Sequence, residues 1–332
     1  MKFGLSGCGG GVELDRQSKI VELASYAEKL GFESLWLNEE HFQNGKNSDG
    51  RLCLSPIVAA SAIAATTTKI RIGFSLLILP LYHPIRLAEE LATLDLISNG
   101  RVDFGISRGG NRRYSNIFGS TERYTKDEFA EQLTLVLNAF GDKELCVGGE
   151  NIYIQPKPIQ RPHPPVYVGS YTKEIIEWSA HNNHNVIMHG ITSMPNVMEA
   201  LNIYTNAGGD VKNVPIGRFV YVSQSDDSAK KELWQTILKL TDRLKNVGLT
   251  KGGRITEEEL EPENFYNKMV IAGSPETCRE RINELKELTG GMNYLNALSG
   301  FFGYLPEENL RNSLELFSSD IIPYFKHTKE DS

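Results

Sequence analysis

Cysteine and histidine are scarce in this chain, at 4 and 7 of 332 residues. Cys8, Cys53, Cys146 and Cys278 form no CxxC pair, which excludes a zinc knuckle or a disulfide framework on spacing alone. Each is expected to fill small apolar space, although Cys8 follows the first strand and could face a pocket. Long apolar runs are missing too: the longest, Phe74 to Leu81, falls far short of the ~20 residues a membrane helix needs. Met1 leads directly into strand-like Lys2-Phe3-Gly4-Leu5 with no secretory leader, so a cytoplasmic location is expected. Positive charge is short as well, 35 Lys and Arg against 42 Asp and Glu, a net charge of −7. That balance excludes an electrostatic footprint for nucleic acid or an anionic membrane and leaves small molecules as the expected partners. Gly7, Gly9, Gly10 and Gly11 follow the first strand, yet neither a GxGxxG nor a Walker Gly-Lys-Ser/Thr is present, so a loop beside a pocket is the better reading.

What the chain does have is a repeated exchange of short apolar runs for amphipathic segments. Lys2 to Leu5 reads as a strand and Arg16 to Leu30 as a helix closed by Gly31, with Ile20, Leu23, Ala24, Ala27 and Leu30 on one face. The run Leu35-Trp36-Leu37 is a buried strand. Helix 57–67 leads into strand 70–75, helix 85–98 into strand 102–106, and helix 125–140 into strand 166–169. Further on, helix 173–181, strand 186–188, helix 194–207, strand 219–222 and helix 228–246 keep the rhythm. A helix from Ser274-Pro275-Glu276 to Leu288, strand 294–298 and helix 307–325 close it. Parallel strands need such crossovers, and the pattern predicts one closed (β/α)8 TIM-like barrel domain over residues 1–332. Two insertions interrupt it, at about 141–165, rich in proline, and at about 247–268, polar and expected to be a lid or mobile stretch. An open doubly wound sheet is the alternative, without its glycine fingerprint.

Barrels place their chemistry at the C-terminal ends of the strands. That rule selects Glu39, Glu40 and His41 after the second strand, Ser75 and Leu76 after the third, Ser107 and Arg108 after the fourth, and Ser170, Tyr171 and Thr172 after the fifth. Glu39 and Glu40 are a poor acid/base couple, because neighbours on an extended chain face opposite ways; one is expected to support His41 or a backbone amide and the other to meet solvent. Plainer roles stand beside these: a solvated loop end, a structural histidine, a rim ion pair for Arg108. Arg112 and Arg113 are an unusual basic pair, read either as a solvated loop or as a second anion contact for an acidic or carrier-bound substrate. His83-Pro84 reads as a helix start.

Taken together, several stretches resemble the bacterial luciferase-like flavin-dependent monooxygenases. They are Met1-Lys2-Phe3-Gly4, Trp36-Leu37 with Glu40-His41-Phe42, Ile78-Leu79-Pro80 with His83-Pro84, Gly100-Arg101 through Phe104-Gly105 to Arg108-Gly109, Pro165-Val166-Tyr167-Val168, and Phe317 to Phe325. The resemblance implies a TIM-like barrel that uses reduced FMN and O2, or in some branches a deazaflavin. It implies a catalytic role for His41, exchanging a proton near the isoalloxazine. The implied cofactor-binding set is Ser75, Leu76, Ser107, Arg108, Ser170, Tyr171 and Thr172. Within it Arg108 would bind the phosphate, amides at Ser170 to Thr172 would assist it, and Ser75-Leu76 would match a non-proline cis peptide under the ring. Ser107 stands where luciferase has a reactive cysteine, and the 247–268 segment is shorter than luciferase's lid, so light emission is not expected. Oxidation of a small organic or carrier-bound substrate through a flavin C4a-hydroperoxide is the implied reaction, with a separate flavin reductase and a homodimeric state. A deazaflavin-dependent oxidoreductase and a non-catalytic flavin-binding subunit are the alternatives.

Overall fold

The computed structural model describes residues 1–8, 19–42, 55–110, 112–119 and 125–327. Its strands are β1 (Lys2–Leu5), β2 (Ser34–Leu37), β3 (Arg71–Phe74), β4 (Leu77–Ile78), β5 (Val102–Ser107), β6 (Leu145–Val147), β7 (Glu150–Ile152), β8 (Val166–Val168), β9 (Asn185–Val186), β10 (Ile216–Val222), β11 (Val270–Gly273) and β12 (Tyr294–Ala297). Parallel pairing runs β1–β2–β3–β5–β8–β9 on one side and β1–β12–β10 on the other. A parallel bridge from Met188 to Ile216 joins the two arms and closes the ring. The fold is therefore an α/β barrel built on a parallel sheet, with helices outside it. β11 lies outside the ring on the second half of β10, Phe219 to Val222.

Strand alternation decides what lies inside. Leu35 and Leu37 join the apolar layer between strands and helices, while Ser34 and Trp36 point into the barrel. There Trp36 meets Tyr167 edge-on with ring centroids 5.1 Å apart. A side chain at Gly73 would put its Cβ 2.4 Å from the Trp36 ring, and one at Gly4 2.9 Å from its Nε1, so both positions must be bare for the indole to fill the interior. Tyr294 and Ser34 share a 2.5 Å hydrogen bond below it, and Arg71 pairs with the buried Asp103 at 2.7 Å.

Outside the barrel Arg101, buried, holds the ends of two helices. Its Nε donates to the Ser98 carbonyl at 2.6 Å. Nη1 donates to Thr67 Oγ1 at 2.8 Å and the Ile70 carbonyl at 2.7 Å. Nη2 donates to the carbonyls of Ala64 and Thr67, both at 2.9 Å. A cation there also suits the negative ends of the helices Pro56–Thr66 and Pro84–Ser98.

Several expectations need correction. Arg112 and Arg113 stand not in a loop but on the helix Arg112–Phe118. The polar stretch 247–268, an expected insertion, holds 3₁₀ turns at Leu249–Gly252 and Glu258–Leu260 and the helix Pro262–Met269, and strand β11 follows it directly. Proline at the first helical position supports that helix, and β11 is too short to show a period. β10 begins at Ile216 rather than Phe219 because Gly217 and Arg218 hide a run in which all seven residues are buried. The last helix is interrupted by a π turn at Phe317–Ile321. Cys146 is exposed on the β6–β7 hairpin instead of filling apolar space, whereas Cys278 is buried. Arg16 to Ser18, most of the Gly7 to Asp15 loop, the Gln43 to Leu54 loop with Cys53, and the Arg112 side chain lie outside the described residues. No helix among the described residues is long and apolar enough to cross a membrane.

Candidate active site

The strand ends of β2, β3, β5, β8 and β9 surround a cleft of about 490 Å³. Ser75, Leu76, Ser107, Arg108, Ser170, Tyr171 and Thr172 all line it, joined by Glu39, Ile78, His189 and Arg254. Ser75-Leu76 is a cis peptide.

One end of the cleft is cationic. Arg108 Nη2 donates to Thr172 Oγ1 at 2.9 Å, and Thr172 N donates to Ser170 Oγ at 3.1 Å. Thr172 opens the helix Lys173–His181, whose first amides point toward this end. Arg254 arrives from the far side of the sequence and lies 5.7 Å from the centre of the Tyr171 ring. Its carbonyl accepts from Ser193 N at 2.8 Å and from Asn196 Nδ2 at 3.2 Å, while the Asn196 amide also reaches the Gly253 carbonyl at 3.0 Å. Two guanidinium groups thus line the same cleft, an arrangement that suits a dianion.

His189 also lines the cleft, and its backbone N–H donates to the Tyr171 hydroxyl at 2.9 Å. Its Nδ1 accepts from Ile191 N at 3.4 Å. Enclosure by protein, and then the Arg254 charge, pull its pKa down to about 4. The ring is therefore neutral at physiological pH, and with Nδ1 accepting, the proton sits on Nε2.

At the other end Glu39, only 8% exposed, collects three partners. Oε1 meets His41 Nε2 at 3.0 Å and accepts from the Tyr82 hydroxyl at 2.6 Å. Oε2 accepts from Ile78 N at 2.6 Å. Of the two carboxylates weighed in the sequence, Glu39 is the supporting one, and it supports both an imidazole and an amide. The Tyr82 hydroxyl is held protonated, its pKa raised by burial and then by the Glu39 charge. His41 reaches the cleft wall through Glu39, and its backbone N–H donates to Tyr114 OH at 3.0 Å. Tyr114 and Phe118 pack edge-on against its ring at 5.2 and 4.8 Å. Arg113 lies over the Phe42 ring at 5.9 Å.

Sequence reasoning missed Tyr82, Tyr114, His189 and Arg254. His189 follows the sixth barrel strand, so the strand-end rule that found the others could have found it. Arg254 had no such signal, since it comes from a segment that follows no strand. Among the described residues no group of three or more His, Cys, Asp or Glu could hold a metal ion.

The cleft thus carries two guanidinium groups and, through Glu39, an imidazole–carboxylate pair. The model of the luciferase-like monooxygenases matches residues 4–291, and the chain belongs to that family of flavin-dependent, oxygen-incorporating oxidoreductases. It is 25% identical over 344 residues to the alkanal monooxygenase alpha chain of Photorhabdus luminescens, covering 94% of this chain and 92% of that one. Among solved structures it is similar to a monooxygenase from Streptomyces bottropensis, with a TM-score of 0.81 at 21% identity over 98% of this chain and 100% of the other. The oxygenating constituent of 3,6-diketocamphane monooxygenase of Pseudomonas putida, a Baeyer-Villiger enzyme solved in complex with FMN, aligns with a TM-score of 0.77 at 20% identity, over 97% and 98% of the two chains.

Proposed function

We propose that the chain is an FMN-dependent monooxygenase acting on a small organic or carrier-bound substrate. The observation that carries this reading is that Arg108 and Arg254 both line one cleft whose volume is in the range of cofactor sites. The donor set fits the cofactor: guanidinium groups and the Ser170 and Thr172 hydroxyls for the phosphate, the Ser75-Leu76 peptide and Tyr171 along the body. Reduced flavin, when bound, supplies the oxygen-activating chemistry. Glu39 holds His41 in one orientation through Nε2, which leaves Nδ1 as the ring nitrogen that can take or give a proton during turnover. Tyr114 and Phe118 shield that imidazole on two sides. Because no dinucleotide fingerprint is present, reduced flavin would come from a separate reductase, a reading that fits the Pseudomonas protein being an oxygenating constituent. The outer faces of the helices Pro56–Thr66 and Pro84–Ser98 expose Val58, Leu96 and Ile97, which supports a homodimer through that side.

The test is to titrate the protein with chemically reduced FMN without air, admit oxygen and follow flavin absorbance. Slow return of the oxidised spectrum, with oxygen appearing in an added substrate, is expected. Reoxidation as fast as for free flavin under every substrate, or tight binding of a deazaflavin with no oxygen uptake, would overturn the reading.

A further inference from the structure

Inward positions continue past the aromatic floor in steps of two, from Gly4 to Ser6, from Trp36 to Asn38, from Gly73 to Ser75, from Ile187 to His189 and from Tyr294 to Asn296. These side chains and three bare glycines, Gly7, Gly190 and Gly217, line a second pocket on the barrel axis. It shares Ser75 and His189 with the cationic cleft, so the two are continuous. At about 20 Å³ it takes the edge of a molecule, not a whole ring.

Two of its walls carry an unmet demand. Ser6 Oγ and Asn296 Oδ1 are buried with no hydrogen-bond partner, in residues only 6% and 3% exposed. They stand on neighbouring strands, since Gly4 is in register with Asn296 and Ser6 N donates to the Ala297 carbonyl. Buried polar atoms are nearly always paired, and leaving one unpaired costs stability. An amide oxygen demands a donor, while the Ser6 hydroxyl and His189 Nε2–H can each serve an acceptor.

We propose that this axial pocket is a recognition subsite for a polar edge carrying an N–H beside a carbonyl, the chemistry of an amide or cyclic imide, read by Asn296, Ser6 and His189. Two sources offer that edge: the pyrimidinedione of the flavin, or the polar head of the organic substrate. The inference rests on the neighbouring cleft being the flavin site.

The experiment uses Ser6→Ala and Asn296→Ala in the full chain, with melting temperature as the folding control. Removing an unpaired polar atom leaves the ligand-free protein as stable as before, or more so, which a structural role for these groups would not. FMN affinity is measured by fluorescence titration, and uracil, a free cyclic imide, is added to FMN-loaded protein while the flavin spectrum is recorded. A loss of about tenfold in FMN affinity in each variant, with no uracil response, assigns the subsite to the flavin edge. Unchanged FMN affinity, with a uracil response present in wild type and lost in the variants, assigns it to the substrate head. Unchanged FMN affinity and no uracil response overturns the proposal, leaving a pocket that holds only solvent. If the wild type fails to bind FMN, the cofactor reading is what has failed. Uracil binding to the cofactor-free protein, read by tryptophan fluorescence above Trp36, then decides this one, and its absence or its persistence in both variants overturns it.

Discussion

Glu39 and His41 face one another at 3.0 Å, Oε1 against Nε2, with the second carboxylate oxygen committed to the Ile78 amide. The carboxylate cannot swing away without breaking a backbone contact, so the imidazole is held in one orientation. His41→Ala is expected to leave FMN affinity intact and to lower product formation by on the order of 10²–10⁴, the usual weight of a positioned acid or base. Coupled turnover equal to wild type would remove His41 from the mechanism.

Tyr82→Phe removes the 2.6 Å donor to the same Glu39 oxygen. The Glu39–His41 pair is then less firmly placed, so product formation should fall several-fold while FMN affinity stays near wild type. Steady-state turnover and FMN titration of both proteins check this; turnover equal to wild type would show that the tyrosine does not position the pair.

Arg108→Ala should weaken FMN by about 1.5–3 kcal/mol, the weight of a hydrogen bond to a charged group, and leave riboflavin binding nearly untouched. Equal losses for both flavins would mean that the guanidinium does not serve the phosphate.

Stability should respond to Arg101 instead. Arg101→Lys keeps the charge but offers three donors where five are used, stranding carbonyls at two helix ends; a loss of at least about 2 kcal/mol in denaturant unfolding is expected. A change below about 0.5 kcal/mol would show that the network is redundant.

Acid should destabilise the fold early. Burial lowers the pKa values of His184 and His189 to about 4, with His163 a lesser influence on the first and Arg254 on the second. Their unfolded counterparts titrate near 6.5, so the unfolded state takes up protons first as pH falls. Stability is complete above about pH 6.5 and declines from there to about 4, by about 3 kcal/mol per histidine over that interval. Unfolding free energies measured at pH 7 and 4.5 should differ accordingly, and His184→Phe should flatten part of the slope.

The barrel was legible because each strand–helix unit writes its own period, and eight of the ten residues the strand-end rule selected line one cleft, Glu40 and His41 being the exceptions. What stayed hidden depends on long-range geometry. Nothing local tells that Tyr82 will return to Glu39, or that Arg254, amid glycines, will meet Tyr171. The β10 boundary was lost for a similar reason, since a buried Arg218 reads as a break in an apolar run until its donation to the Gly217 carbonyl is seen.

Asn196 stands apart from the cleft, yet its amide clasps the Gly253 and Arg254 carbonyls and so sets where the second guanidinium comes to rest. If the cleft holds flavin as proposed, its retention is thereby adjustable from a position outside the cleft. For an engineer this is a remote dial: shortening or lengthening that one side chain would shift the second guanidinium while the Glu39–His41 pair keeps its place.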